Sequence, residues 1–150
     1  MSFAEDLEYG KKGEQLVRHI LESSQKFSAI WDCSDDKYFQ NKDIDILALA
    51  PDGHIAKYEV KTDRQAHKTG NIAYETTTGG GNIGCLEKTE CDYVMYYTEG
   101  NGRLYCFEAE KIREYIERKK PRRITMGDTA QGYLLNIRDL IKERRIVRIL

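Results

Sequence analysis

The stretch DIDILALAPDGHIAKYEVK, residues 43–61, constrains the fold of this chain more than any other part of it. Two runs of alternating character flank Pro51-Asp52-Gly53-His54. Pro51 presets its own backbone dihedral and Gly53 accepts a positive φ, so these four residues make a tight turn. The flanking runs then return on each other as a hairpin from Asp43 to Lys61. Successive side chains of a strand point to opposite faces. Ile44, Ile46, Ala48 and Ala50 are therefore expected on one face, and Asp43, Asp45, Leu47 and Leu49 on the other. On the return strand Ala56, Tyr58 and Val60 share a face, opposite Lys57, Glu59 and Lys61. Antiparallel pairing brings Asp45, Glu59 and Lys61 together.

Both faces of this hairpin carry apolar residues, so the charged set is not simply solvated. Burying charges without partners is costly, and a divalent cation offsets that cost. Carboxylate oxygens are the hard ligands that Mg²⁺ takes, with waters and substrate phosphate completing its octahedron. A cation so held activates water and stabilises charge on a phosphate. A lysine beside the acids orients or deprotonates the water, or neutralises the transition state. The plainer reading of the same residues is a surface hairpin with cross-strand Asp–Lys and Glu–Lys pairs.

The rest of the chain supplies the frame. Leu16, Val17, Ile20 and Leu21 give residues 3–23 an apolar stripe at helical spacing. Glu14 lies at the edge of that stripe, and Gly10 and Gly13 weaken the helix's first half. A short strand is expected at 27–31, a polar loop at 32–42, and a strand at 72–76 followed by the glycines Gly79–Gly81. A second hairpin, 92–98 with 103–108, turns at Glu99-Gly100-Asn101-Gly102. A helix over 109–120 ends before Pro121. A strand near 132–137, a short helix near 138–143 and a strand at 146–150 complete an α/β (α+β) domain. At 150 residues it is expected to fold as a single domain with its own core.

At this point the chain resembles the PD-(D/E)xK nuclease superfamily, the restriction-endonuclease-like fold. The residues that carry the resemblance are Asp45, the Glu59-Val60-Lys61 triplet after the turn, and the helical Glu14. Thirteen residues separate Asp45 from Glu59, which fits that family's hairpin. Archaeal-type Holliday junction resolvases and their relatives carry a glutamate on the first helix that completes the metal site. The segment TGNIAYE, 69–75, followed by a glycine-rich loop and DYVMYY, is similar to small phage-type members. The resemblance covers about residues 10–110.

It implies a mixed β-sheet flanked by helices and a metal-dependent nuclease cleaving DNA. Asp45 and Glu59 would bind Mg²⁺ (or Mn²⁺ in its place) with the Val60 carbonyl, Glu14 would add a ligand directly or through water, and Lys61 would position the water. Glu75 is a further candidate around the metal or for a second ion. The chain departs from the pattern at one point: Ile44, not proline, precedes Asp45. Asp43 shares the face expected for Asp45 and competes with it as the ligand. A structure-selective endonuclease of resolvase type and a homodimer are the refinements the resemblance suggests. The rival reading is a non-catalytic nucleic-acid-binding module that keeps the fold; a third is a protein-interaction domain binding neither metal nor DNA.

Charge and composition narrow the partners. The formal net charge is −1, so the positive charge is local. Lys119, Lys120, Arg122 and Arg123 form one cluster, and Lys142, Arg144, Arg145 and Arg148 another. Either could meet phosphate, or be a solvated helix end or strand edge. Arg64, His67 and Lys68 follow the Glu-x-Lys strand as candidate phosphate contacts, and Asn71 as a substrate contact or a turn cap. Tyr74 and Tyr133 are core-packing residues or base-stacking ones. Cys33, Cys85, Cys91 and Cys106 lack zinc-site spacing and read as free thiols. No apolar run reaches the ~20 residues of a membrane span, and the first residues show no secretory pattern. A cytoplasmic protein without a small-molecule cofactor is expected.

Overall fold

The computed structural model describes residues 2–77, 89–126 and 130–150. Gly79–Gly81 and Cys85 lie outside the described residues. The first helix, α1 (Phe3–Ser23), runs unbroken. A reciprocal capping box starts it: the Ser2 backbone N–H donates to Glu5 Oε2 at 2.6 Å and Glu5 N–H to Ser2 Oγ at 3.3 Å. The expected weakening at Gly13 has a packing reason instead. A Cβ placed on Gly13 would stand 2.1 Å from Thr62 Oγ1, so glycine lets α1 lie close against the third strand.

Among the described residues, six strands form the large sheet in the order β1 (Ala29–Asp32), β2 (Ile46–Leu49), β3 (Ile55–Asp63), β5 (Tyr93–Thr98), β6 (Arg103–Glu108), β9 (Val147–Arg148). All neighbours are antiparallel except β3 and β5, which run parallel. β4 (Asn71–Thr77), β8 (Ala130–Asn136) and β7 (Arg123–Met126) make a second, antiparallel sheet. The helices α2 (Lys37–Gln40), α3 (Ala66–Thr69), α4 (Ala109–Lys119) and α5 (Ile137–Lys142) are the other helices among the described residues. The mixed sheet flanked by helices is the architecture expected from the sequence. α2, α3 and β7 are additions to that expectation.

Apolar layers cover both faces of the large sheet. Val17 and Leu21 of α1 pack on Ile46, Tyr58, Val60 and Met95. On the other face Val94, Tyr96 and Phe107 pack with Ile112 and Tyr115 of α4, Leu140 of α5, and Ile72, Tyr74 and Leu135 of the small sheet. This double cover explains why β5 reads as a nearly continuous apolar run. Gly132 serves the small sheet in the way Gly13 serves α1: a Cβ there would meet the Tyr74 carbonyl oxygen at 2.2 Å.

The alternation read from the first hairpin holds from Ile46 onward and fails before it. Asp43 adopts φ 53°, which breaks the extended chain. Ile44 then turns its N–H to the Phe39 carbonyl at 3.0 Å. Its side chain joins the α4 side of the core, not the α1 side where Ile46 lies.

Candidate active site

The break at Asp43 shapes the site. β2 pairs with β3 only from Ile55 to Tyr58, so Glu59 and the residues after it face an open edge on that side. The Asp45 N–H still donates to the Tyr58 carbonyl at 2.9 Å. One step further the Asp45 side chain replaces the missing backbone: Val60 N–H donates to Asp45 Oδ2 at 2.7 Å. A carboxylate thus completes the ladder where strand pairing stops.

Burial pushes the Asp45 carboxyl up to about 6, against the Val60 hydrogen bond and the Lys61 charge, with Glu14 and Asp43 adding to the rise. Glu59 is 2% exposed. Burial pushes it up to about 7, opposed chiefly by Lys61. Lys61 Nζ stands 3.1 Å from Glu59 Oε1, and its side chain stays partly in solvent. The other oxygen, Glu59 Oε2, is buried with no hydrogen-bond partner among the described residues. A buried acid, Glu59, and a half-buried one, Asp45, therefore flank one lysine, with Thr89 beside Glu59 as a weaker stabilising neighbour.

α1 closes the site from the opposite side. Glu14 Oε2 is buried and has no hydrogen-bond partner among the described residues. Lys11 Nζ approaches it at 3.4 Å but hydrogen-bonds to Asp35 Oδ1 at 2.7 Å and Ser34 Oγ at 3.0 Å. Between α1 and the end of β3 lies a cleft of about 470 Å³, whose lining includes Glu14, Val60, Lys61, Thr62 and Arg64. Arg64 is fixed at its rim. Nη1 pairs with Asp6 Oδ1 at 2.7 Å, and the guanidinium lies 3.8 Å from the centre of the Tyr9 ring. A larger neighbouring cleft of about 560 Å³ shares Tyr9 and Arg64 and is otherwise lined by Glu5, Glu8, Lys12, His67, Glu99 and Gly100, a lining of mixed charge.

The predicted residues divide into two groups. Asp45, Glu59, Val60, Lys61 and Glu14 come together, with Asp43 close enough to raise both Asp45 and Glu59. Asp43 also accepts a hydrogen bond from Thr89 Oγ1 through its carbonyl, at 3.1 Å. Arg64 joins this group at the cleft rim. Glu75 stands half-buried on β4 of the small sheet, paired in register with Gly132. Asn71 opens the same strand, its N–H on Thr69 Oγ1 at 3.2 Å, and Lys68 is exposed on α3.

Among the described residues, no three His, Cys, Asp or Glu side chains form a preformed cation cage. Lys11, Tyr9 and Thr89 are site neighbours that sequence reasoning passed over. Lys11 had a signal, since it lies one helical turn before Glu14. Thr89 had none, because its place beside Asp43 is a contact between residues far apart in sequence.

No protein-family model matches the sequence, and no curated protein matches it. The structure is similar to that of a bacterial homing endonuclease, I-Ssp6803I, with a TM-score of 0.50 and 16% identity over 68% of each chain. It is also similar to D212, a nuclease from a fusselovirus, with a TM-score of 0.44 and 13% identity over 97% of this chain and 94% of that one. The first likeness shows a fold shared with that endonuclease.

Proposed function

We propose that this protein is a metal-dependent nuclease of the PD-(D/E)xK kind, hydrolysing DNA phosphodiester bonds in the cleft between α1 and β3. The observation that carries the reading is the buried Glu59, one oxygen of which lacks a hydrogen-bond partner among the described residues, held with the half-buried Asp45 beside Lys61 at the open edge of β3. The shared fold with a homing endonuclease supports it.

The donor set fits a hard cation. Mg²⁺ is commonly held by one or two carboxylates, with waters and phosphate oxygens filling the octahedron, so the absence of a three-residue cage among the described residues is compatible with it. Asp45 and Glu59 would hold the ion with the Val60 carbonyl, and Glu14 would reach it directly or through water. When bound, Mg²⁺ (or Mn²⁺) supplies Lewis-acid stabilisation of phosphate charge and a water of lowered pKa.

The chain's own residues do the rest. Asp45 keeps the end of β3 in register through Val60 N–H, which fixes where Glu59 and Lys61 stand. Lys61, which lines the cleft and pairs with Glu59, would orient the attacking water and offset charge on the phosphate. Arg64, locked by Asp6 and Tyr9, offers a fixed cation to a neighbouring phosphate.

The test is cleavage of labelled linear, nicked, single-stranded and four-way-junction DNA with Mg²⁺, Mn²⁺ or EDTA. Cation-dependent cutting is expected, with the junction preferred if the enzyme is of resolvase type and acts as a dimer. DNA retained in a binding gel but cut under none of these conditions would replace this reading with the non-catalytic module.

A further inference from the structure

The two basic runs of the sequence lie far apart along the chain, yet ion pairs join the end of α4 to the residues that follow α5. Arg118 and Lys119, on the last turn of α4, both pair with Glu143, which directly follows α5; the Lys119 Nζ to Glu143 Oε1 distance is 2.8 Å. Arg145 Nη1 reaches back to Glu114 Oε2, one turn earlier on α4, at 3.5 Å. Lys120 leaves the helix in the left-handed conformation, φ 48°, ahead of the exposed Arg122. Arg144, at φ 56°, leaves α5 in the same manner. The ion pairs found among the described residues leave Lys120, Arg122 and Arg144 uncommitted.

Concentrating exposed cations here, in a chain whose net charge is −1, creates a local positive field. Glu143 is central to it. Its carboxyl is held below the usual range by Lys119 first and Arg118 next, so near neutral pH it occupies two cations that would otherwise face solvent. α4 and α5 pack on the face of the large sheet opposite α1, so this surface is separate from the cleft.

We propose that the surface formed by Arg118, Lys119, Lys120, Arg122, Arg144 and Arg145 around Glu143 is a second nucleic-acid contact, gripping the phosphate backbone away from the cleft. The partner class rests on the nuclease reading. Arginine forks suit phosphate oxygens in paired, in-plane contacts, and such contacts give affinity without sequence preference.

The test is binding of a labelled DNA duplex in EDTA over a range of salt, which reads the surface without any turnover. The double variant Arg122→Glu/Arg144→Glu is expected to bind about tenfold more weakly and to lose roughly two from the slope of log affinity against log salt. Glu143→Gln is expected to tighten binding by about two- to fivefold, because it releases Arg118 and Lys119. Asp52→Asn, which removes the same charge in the β2–β3 turn, is expected to change nothing. Unchanged affinity and slope in both surface variants would overturn the proposal. So would a wild-type protein that ignores DNA and binds vesicles of anionic lipid through these residues. Patch-dependent binding without cleavage would instead fault the reading of the cleft and leave the surface standing.

Discussion

From Ile55 to Tyr58, β3 pairs with β2; from Glu59 to Asp63 its pairing is with β5 on the other side. The first half buries Ala56 and Tyr58 against α1 and sends no acid into the core. The second half buries Glu59, borrows Asp45 to satisfy Val60 N–H, and opens onto a cleft. A single strand thus changes from scaffold to candidate site at the residue where its neighbour turns away. The turn comes from Asp43, whose positive φ takes the chain out of the sheet before Asp45 and leaves a carboxylate where a peptide group would have been. Strand pairing places the residues, and its interruption exposes them.

Substitutions should separate the two halves. Tyr58→Ala removes a ring stacked on Tyr93 at 5.3 Å and edge-on to Phe27 at 6.4 Å. It is expected to cost about 3–5 kcal/mol of stability, measured by urea unfolding, while the folded fraction still cleaves.

Glu59→Gln should act in the opposite direction, and with a pH signature. The native Glu59 carboxyl titrates at about 7 against an ordinary 4.5. Below the ordinary value both native and unfolded chains hold the proton, and the group costs nothing. As pH rises from about 4.5 to about 7 the unfolded chain releases its proton first, so the stability of the native state falls, and it levels off above that. The glutamine variant is therefore expected to be more stable than wild type by up to about 3 kcal/mol at pH 8 and nearly equal to it at pH 4. Urea unfolding at the two pH values checks this. Added Mg²⁺ should narrow the pH 8 gap, because it stabilises the wild-type carboxylate. A wild type more stable at pH 8 than Glu59→Gln would show that Glu59 is paired more fully than its hydrogen bonds indicate.

A smaller effect is expected at Gly13. Helix propensity alone favours alanine there by roughly 1 kcal/mol, but the overlap with Thr62 should outweigh it and destabilise the protein by about 1–2 kcal/mol. Gly13→Ala combined with Thr62→Ala should recover most of that loss. A Gly13→Ala protein more stable than wild type would mean that α1 does not press on the open half of β3.

How much of this was legible depends on the range of the interactions. The β2–β3 hairpin follows from Pro51 and Gly53, and the charged set follows from alternation along the return strand. α1 was legible from Val17, Ile20 and Leu21, whose spacing needs no partner to be read. The turning of Ile44 to the other core layer was not, because nothing local marks Asp43 for a positive φ. β7 was passed over because Arg-Ile-Thr-Met becomes a strand only with β8 beside it. The convergence of the two basic runs depends on Glu143 and Arg145, just after α5, meeting α4, which their separate sequences do not announce. In the candidate site, the residues on one hairpin were foreseen together, whereas Thr89 and Tyr9 reach it through tertiary packing.

The most direct measurement is the rate of DNA cleavage in Mg²⁺ by wild type and Lys61→Ala side by side, with thermal unfolding of both. Lys61 is partly exposed, so the variant should still fold, less stable where Glu59 is ionised because that carboxylate loses its Lys61 partner, while losing about 10²–10⁴-fold in rate. A Lys61→Ala protein that cuts as fast as wild type would contradict the assignment of the open end of β3 as the catalytic site.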